Sequence, residues 1–251
     1  LCGLVGYDDA AHWFRRGCNE AGIKTSGVFP VSDRPTTQKV RVMSADGSSP
    51  LIRLDYEVTD PPTDLETASM RTYIEHYMPL VDAVVLSDYD KGIFGRVTFA
   101  REILDRAREL EKFTVVESKA HLFKEIRGAR LVILSDDQAE TYFLKEVGSV
   151  PMETETTGFR VRGILGCEVL AILRADRELW VFYAEAGEER YTVVSIDDDK
   201  VLDPTGVKDT VTGTLALGFV AGADIRQAAH LAIRAALAVV QRVGTATVRL
   251  E

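Results

Sequence analysis

The stretch Val201-Leu202-Asp203-Pro204-Thr205-Gly206-Val207-Lys208-Asp209-Thr210-Val211-Thr212-Gly213 passes from an extended segment through a turn into a long apolar helix. Pro204 and Gly206 punctuate the turn, and the acid Asp209 falls at or beside the first turn of the helix. The first N–H groups of a helix have no acceptor within it, and its dipole is positive there, so such a start binds anions such as phosphate. A carboxylate beside a bound phosphate can take the proton from an attacking hydroxyl, which points to phosphoryl transfer onto an alcohol. The same pattern also arises where Asp209 only caps the helix and Gly206 only turns the chain, because Asp is a preferred cap residue.

The segments before this stretch alternate between helices and short apolar strands. Helix Leu65 to Met78 leads to strand Ala83-Val84-Val85-Leu86-Ser87, helix Phe99 to Leu110 leads to Thr114-Val115-Val116-Glu117, and Leu131-Val132-Ile133-Leu134 follows. Short apolar strands between helices predict a parallel sheet covered on both faces, and ligands of such sheets bind at the carboxyl ends of the strands. Polar residues gather at those ends, in Ser87-Asp88-Tyr89-Asp90-Lys91, Glu117-Ser118-Lys119 and Ser135-Asp136-Asp137-Gln138-Ala139-Glu140. Short strands return at Val169 to Arg174, Leu179 to Ala184 and Tyr191 to Ser195, and helices Asp209 to Ala221 and Ile225 to Arg242 close the chain.

The first part reads differently. A short apolar run, Leu1 to Gly6, precedes an amphipathic helix, Ala10 to Ala21. From Thr25 to Glu57 the pattern turns to alternation, as in Gln38-Lys39-Val40-Arg41-Val42-Met43 and Leu51-Ile52-Arg53-Leu54-Asp55, joined across Ala45-Asp46-Gly47-Ser48. The Asp-Gly pair predicts a hairpin. Alternation puts Arg53 and Asp55 on one face with Leu54 on the other, an arrangement equally natural for a surface ion pair. Val40, Val42, Ile52 and Leu54 need burial that a small sheet cannot supply, so a ligand or a second subunit is expected over them.

At 251 residues and 46% hydrophobic content the chain can bury a full core, and we read residues 1–251 as one domain. The net charge of −9 and the lack of a basic run argue against nucleic acid. Cys2, Cys18 and Cys167 have neither disulfide nor zinc spacing, which fits a reducing cytoplasm. No apolar run approaches a membrane span of ~20 residues. His12, His76, His121 and His230 share no metal-ligand spacing. A nicotinamide site is disfavoured because Gly3-Leu4-Val5-Gly6 lacks the Gly-x-Gly-x-x-Gly spacing.

Asp203, Thr205, Gly206, Asp209 and Thr210 resemble the C-terminal signature of the ribokinase-like sugar kinases, the phosphofructokinase-B family, which runs roughly Asp-x-Thr-Gly-Ala-Gly-Asp-Thr. Further likeness lies in Pro35-Thr36 with Lys39 to Val42, in Leu51 to Glu57, in Leu86 to Gly92 and in Val243 to Val248. Within the family it is nearest to the heptose-7-phosphate kinase module of the enzyme that makes ADP-heptose. The resemblance implies an α/β, ribokinase-like three-layer fold with a mainly parallel central sheet and a small β lid over residues 25–57, often a dimer surface. It implies ATP and Mg²⁺ as cofactors and a small-molecule sugar or sugar phosphate as acceptor. A first strand and a Gly-Gly segment that the family carries before this point are expected to be absent.

Carried over by motif, Asp209 is the catalytic base, and Gly206, Val207 and Lys208 form the anion hole. Lys119, Asp137, Glu140 and Arg174 fall on the nucleotide side, with Glu140 meeting magnesium through water. Lys39, Arg53, Asp55 and Lys91 are the substrate-binding candidates. The chain also departs from the pattern. The signature's Ala-Gly is Val207-Lys208, and the Asp-Pro-Lys-Gly run is Glu117-Ser118-Lys119-Ala120. The nucleotide stretch Leu173 to Glu178 lacks its Gly, and Ile233-Arg234 stand where Asn and a small residue are usual. A Gly needed for positive φ cannot be replaced without a cost of roughly 1–2 kcal/mol, so a reshaped turn is expected, with the Lys208 ammonium able to offset phosphate charge. Two functions follow: an ATP-dependent sugar kinase, or a degenerate kinase fold serving as a sugar-binding, regulatory or scaffolding module.

Overall fold

The computed structural model describes all residues except 46–49, 96, 150–152, 176, 196–201 and 249–251. The chain gathers into two compact units, residues 1–80 with 89–99, and residues 81–88 with 100–251.

In the first unit, β1 (Cys2–Gly6) pairs in parallel with β2 (Gly27–Val31). Between them runs α1 (Asp9–Glu20), capped by Asp8, whose Oδ1 accepts the Ala11 N–H at 2.9 Å. A second sheet holds β3 (Gln38–Met43) and β4 (Pro50–Tyr56), antiparallel. The expected lid strands are therefore narrower than 25–57, since Gly27–Val31 belongs with β1. The Asp46-Gly47 turn lies outside the described residues. Register sets Val40 opposite Leu54 and Val42 opposite Ile52 on one face, and Lys39 opposite Asp55 on the other. The four apolar side chains are 40–55% exposed. Helix α2 (Asp64–Tyr77) opens with a capping box between Thr63 and Glu66.

The second unit is built on a six-stranded sheet. Its strands are β5 (Ala83–Ser87), β6 (Phe113–Glu117), β7 (Leu131–Ser135), β8 (Val169–Leu173), β9 (Glu178–Glu185) and β10 (Glu188–Ser195), in the order β10-β9-β8-β7-β6-β5. β5 to β8 are parallel, and β9 and β10 add antiparallel turns at one edge. β7 is buried on both faces, as a parallel strand covered by helices must be. On one face Leu131, Ile133, Leu179 and Val181 pack with Val211, Leu215, Ala232 and Ala236. Those last residues come from α6 (Val207–Val220) and α7 (Ile225–Val240). The opposite face meets α4 (Asp136–Val147) and α5 (Thr154–Leu165). Helix, sheet and helix make the three layers. Helix α3 (Val97–Glu109) leads into β6.

The sequence reading had no helix at α5, which is short, carries Gly158 and Gly163, and follows residues outside the described set. Gly158 lets α5 approach the sheet. A methyl group there would sit 2.2 Å from Cζ of the fully buried Phe182. Gly158→Ala should therefore destabilise the protein by about 1–3 kcal/mol despite the better helix propensity of Ala, as read from urea unfolding. A gain in stability would contradict this packing.

Candidate active site at the start of helix α6

The turn before α6 is organised by Asp203. Its Oδ1 accepts the Thr205 N–H at 2.9 Å and its Oδ2 accepts the Gly244 N–H at 3.0 Å. The N–H groups of Leu202 and Asp203 donate to Val240 O at 2.8 and 3.1 Å. One carboxylate thus ties the turn to the Gly244 loop beyond α7, a positioning role that the sequence reading did not assign. An Asp two residues before a turning Thr is the local signal for it.

Gly206 is the N-cap of α6, with φ 83° and ψ 2°. Val207 and Lys208 are helical and are not among the described residues with positive φ. The expected strain at the Ala-Gly positions is therefore absent: the one left-handed position of the turn falls on the Gly that the chain keeps. The first rung of the helix ladder is Thr210 N–H to Gly206 O at 2.9 Å, and the first-turn N–H groups precede it. Asp209 lies in that turn with its side chain exposed.

The Lys208 side chain turns toward the sheet. Its Nζ lies 2.8 Å from Oε1 of Glu117, the last residue of β6, which is 1% exposed. The contact is an ion pair by distance without the alignment of a hydrogen bond. Thr212 Oγ1 donates to the other oxygen of Glu117 at 3.3 Å. The α6 N-terminus therefore stands at the carboxyl end of β6, the edge expected to bind ligand. Next to it the buried Asp88 accepts the Lys119 N–H at 3.2 Å and lies 3.5 Å from His121 Nε2. Lys119 itself is partly buried.

Further along the same edge, Ser135 ends β7 and caps α4. Its Oγ donates to Asp137, and Gln138 closes the capping box. Asp137 and Glu140 are both exposed and, three residues apart on a helix, they are neighbours. Arg174, just after β8, donates to Thr154 Oγ1 and lies 3.9 Å from Asp136 and 3.8 Å from Glu178. Two suspected lesions read differently in space. Glu178, where the Gly is missing, opens strand β9, and the left-handed residue of the β8–β9 turn is its neighbour Arg177, φ 69°. Ile233 is 4% exposed and packs in the core, while Arg234 is exposed.

The four substrate-side candidates lie in the first unit and form one charge network. Lys39 Nζ is 2.8 Å from Asp55 Oδ2 and also pairs with Glu57. Arg53 donates to both oxygens of Asp55, at 2.9 and 3.0 Å. Lys91 Nζ donates to Glu57 Oε1 at 2.7 Å. Glu57 was not among the candidates, yet it joins Lys39 to Lys91. The Lys39 hydrogen bond, with help from Arg53, holds the Asp55 carboxyl below its ordinary value. Lys39 and then Lys91 do the same for Glu57, and Asp55 and Glu57 push Lys39 upward. Because the folded carboxyl values are lowered, their contribution is present above the ordinary carboxylate range and is lost as pH falls through the lowered values. That of Lys39, raised when folded, holds below the ordinary lysine value and is lost as pH rises through the raised one. Carboxyl NMR titrations of Asp55 and Glu57 should give midpoints below 3.8 and 4.5. Midpoints at or above those values would remove the network.

Residues 166–251 match the pfkB family of carbohydrate kinases. Over 97% of its length the chain also superposes on Arabidopsis thaliana ribokinase complexed with ribose and ATP, with a TM-score of 0.71, covering 76% of that chain. The chain has a ribokinase-like fold, with a C-terminal region that matches the pfkB family. At 16% identity the structural likeness is one of fold. In sequence the ribokinase-like chain is 33% identical over 255 residues to the bifunctional protein HldE of Shewanella baltica, covering 100% of this chain and 50% of that protein. It is 30% identical over 250 residues to HldE of Wolinella succinogenes, covering 98% and 50%. The ribokinase-like chain thus spans about half the length of the curated relatives it matches. Among the described residues no helix is long and apolar enough to cross a membrane.

Proposed function

We propose that the ribokinase-like chain phosphorylates a hydroxyl of a sugar or sugar phosphate at the expense of ATP, with heptose 7-phosphate the acceptor suggested by its sequence resemblance. The observation that carries this reading is the α6 start: a left-handed Gly206, a first turn of backbone donors and Asp209 within that turn, at the carboxyl end of β6. Backbone N–H groups at a helix N-terminus suit phosphoryl oxygens, and an exposed carboxylate beside them suits a hydroxyl proton.

ATP would supply the phosphoryl group, its phosphates screened by Mg²⁺. Asp137 and Glu140 are the exposed carboxylates that would hold the metal, a hard cation that prefers oxygen ligands and usually keeps several waters. Asp209 would accept the acceptor's proton as the hydroxyl oxygen bonds to the γ-phosphorus and the bond from that phosphorus to the bridging oxygen breaks, with ADP leaving. The first-turn N–H groups of α6 take up charge on the transferring group, the usual source of most catalysis in this reaction class. Lys119 and Arg174 are the nucleotide-side cations, and Lys39, Arg53, Asp55 and Lys91 the acceptor-side residues. The unpaired cysteines fit a cytoplasmic setting. The exposed face of Val40, Val42, Ile52 and Leu54 is where acceptor or a second copy of the chain would be covered. A monomer by sedimentation, with those residues still exposed in the presence of acceptor, counts against that assignment.

Calorimetry with ATP and Mg²⁺ tests the nucleotide half of the reading. Saturable binding that weakens when Mg²⁺ is withheld is expected. No binding at millimolar ATP would return the chain to a non-catalytic role.

A further inference from the structure

We infer that Glu117 and Lys208 form a positioning pair that sets the first turn of α6 for phosphoryl transfer, an inference that rests on the kinase reading above. The cap residue of α6 is a glycine, which offers no side chain to cap the helix, and Asp203 holds only the turn before it. Glu117 fixes the start of the helix from the side. Its carboxylate, 1% exposed at the end of β6, reaches Lys208 at 2.8 Å and Thr212 at 3.3 Å. These residues are four apart and lie one above the other on the same side of the helix. A helix held at two points a turn apart can neither slide along the strand end nor rotate about its axis.

Asp209 follows Lys208 directly, about 100° further round the helix. Fixing Lys208 and Thr212 against β6 therefore fixes the direction in which the Asp209 carboxylate points, along with the first-turn donors. Glu117 is itself anchored, because its C=O accepts the Asp88 N–H at 2.9 Å and so joins the ends of β5 and β6. The buried carboxylate also lies at the positive end of the α6 dipole, where negative charge is favoured. Lys208 and Glu117 are two of the positions at which this sequence departs from the motifs it resembles, and the two side chains touch.

The test measures steady-state kinetics and thermal unfolding of Lys208→Met, Glu117→Gln, the double variant, Thr212→Val and Lys208→Arg, each confirmed as folded by circular dichroism. Misplacement of a reacting group by about 1 Å costs on the order of 100-fold. Lys208→Met and Glu117→Gln should therefore lower kcat by about 10–100-fold per folded molecule, with the acceptor KM little changed. The double variant should lose less than the product of the single losses, and Lys208→Arg should restore most of the rate. Thr212→Val removes one hydroxyl contact and keeps the core volume, so it reads the same effect on a smaller scale if the charge variants do not fold. A pair with a purely structural role would shift the melting temperature and leave kcat within twofold, and that result overturns the inference. Wild-type protein without turnover would instead defeat the kinase reading, and with it any reaction for the pair to position.

Discussion

Asp209→Asn should reduce phosphoryl transfer by ~10²–10⁴-fold while leaving ATP affinity nearly unchanged, because the variant loses a general base and keeps the backbone donors. The side chain is exposed in the first turn of α6, so the isosteric change carries little folding cost. The split between rate and binding is the informative part. A variant that lost nucleotide affinity and rate together would mean that Asp209 organises the turn rather than the proton transfer. A variant with wild-type rate would exclude Asp209 as the base. Both are read from initial rates at saturating acceptor together with calorimetric titration of ATP.

Lys208→Met should destabilise the protein by about 3–5 kcal/mol, since it leaves the buried Glu117 carboxylate without its counter-charge. That is a large share of a typical domain stability of roughly 5–15 kcal/mol. The partner of a pair whose other member is 1% exposed matters far more than a surface lysine, whose ion pairs usually contribute ~0–1 kcal/mol. From sequence, Lys208→Gly reads as harmful if the lysine takes part in catalysis and as neutral or mildly restorative if it is a lesion in the turn. With Glu117 beneath it, that change removes the same counter-charge and adds about 1 kcal/mol of lost helix propensity. Urea unfolding monitored by circular dichroism gives the answer, and a loss below about 1 kcal/mol would show that Glu117 needs no cation at this position.

Much of the second unit was legible in the sequence because its signals are local and strong. The runs at Ala83–Ser87, Phe113–Glu117 and Leu131–Ser135 are apolar and short, and each is bounded by a helix. A strand buried on both faces reads as continuous hydrophobicity. Helix α5 was missed because its buried residues, Thr157, Gly158, Val161 and Leu165, include a threonine and a glycine that weaken a helical stripe. The pairing of Gly27–Val31 with β1 was missed because strand partners are set by tertiary packing rather than by local pattern.

At the site, the turn and Asp209 could be read directly, since cap and motif are contiguous. The destination of the Lys208 side chain could not, because Glu117 is far away in sequence and only the sheet brings it under α6. A Glu ending an otherwise apolar strand was the one available hint, because a carboxylate there must find a partner. For the same reason the positive φ of the turn could not be assigned among Gly206, Val207 and Lys208 until the backbone was known.

The central claim, that α6 and Asp209 transfer a phosphoryl group from ATP to a sugar hydroxyl, is tested most directly by ³¹P NMR of the protein with ATP, Mg²⁺ and a panel of phosphorylated hexoses and heptoses. The account predicts a new sugar phosphomonoester resonance growing in step with ADP for at least one acceptor, and its disappearance with Asp209→Asn. ATP left intact across the whole panel by wild-type protein, or ADP formed without a phosphorylated sugar, would contradict it.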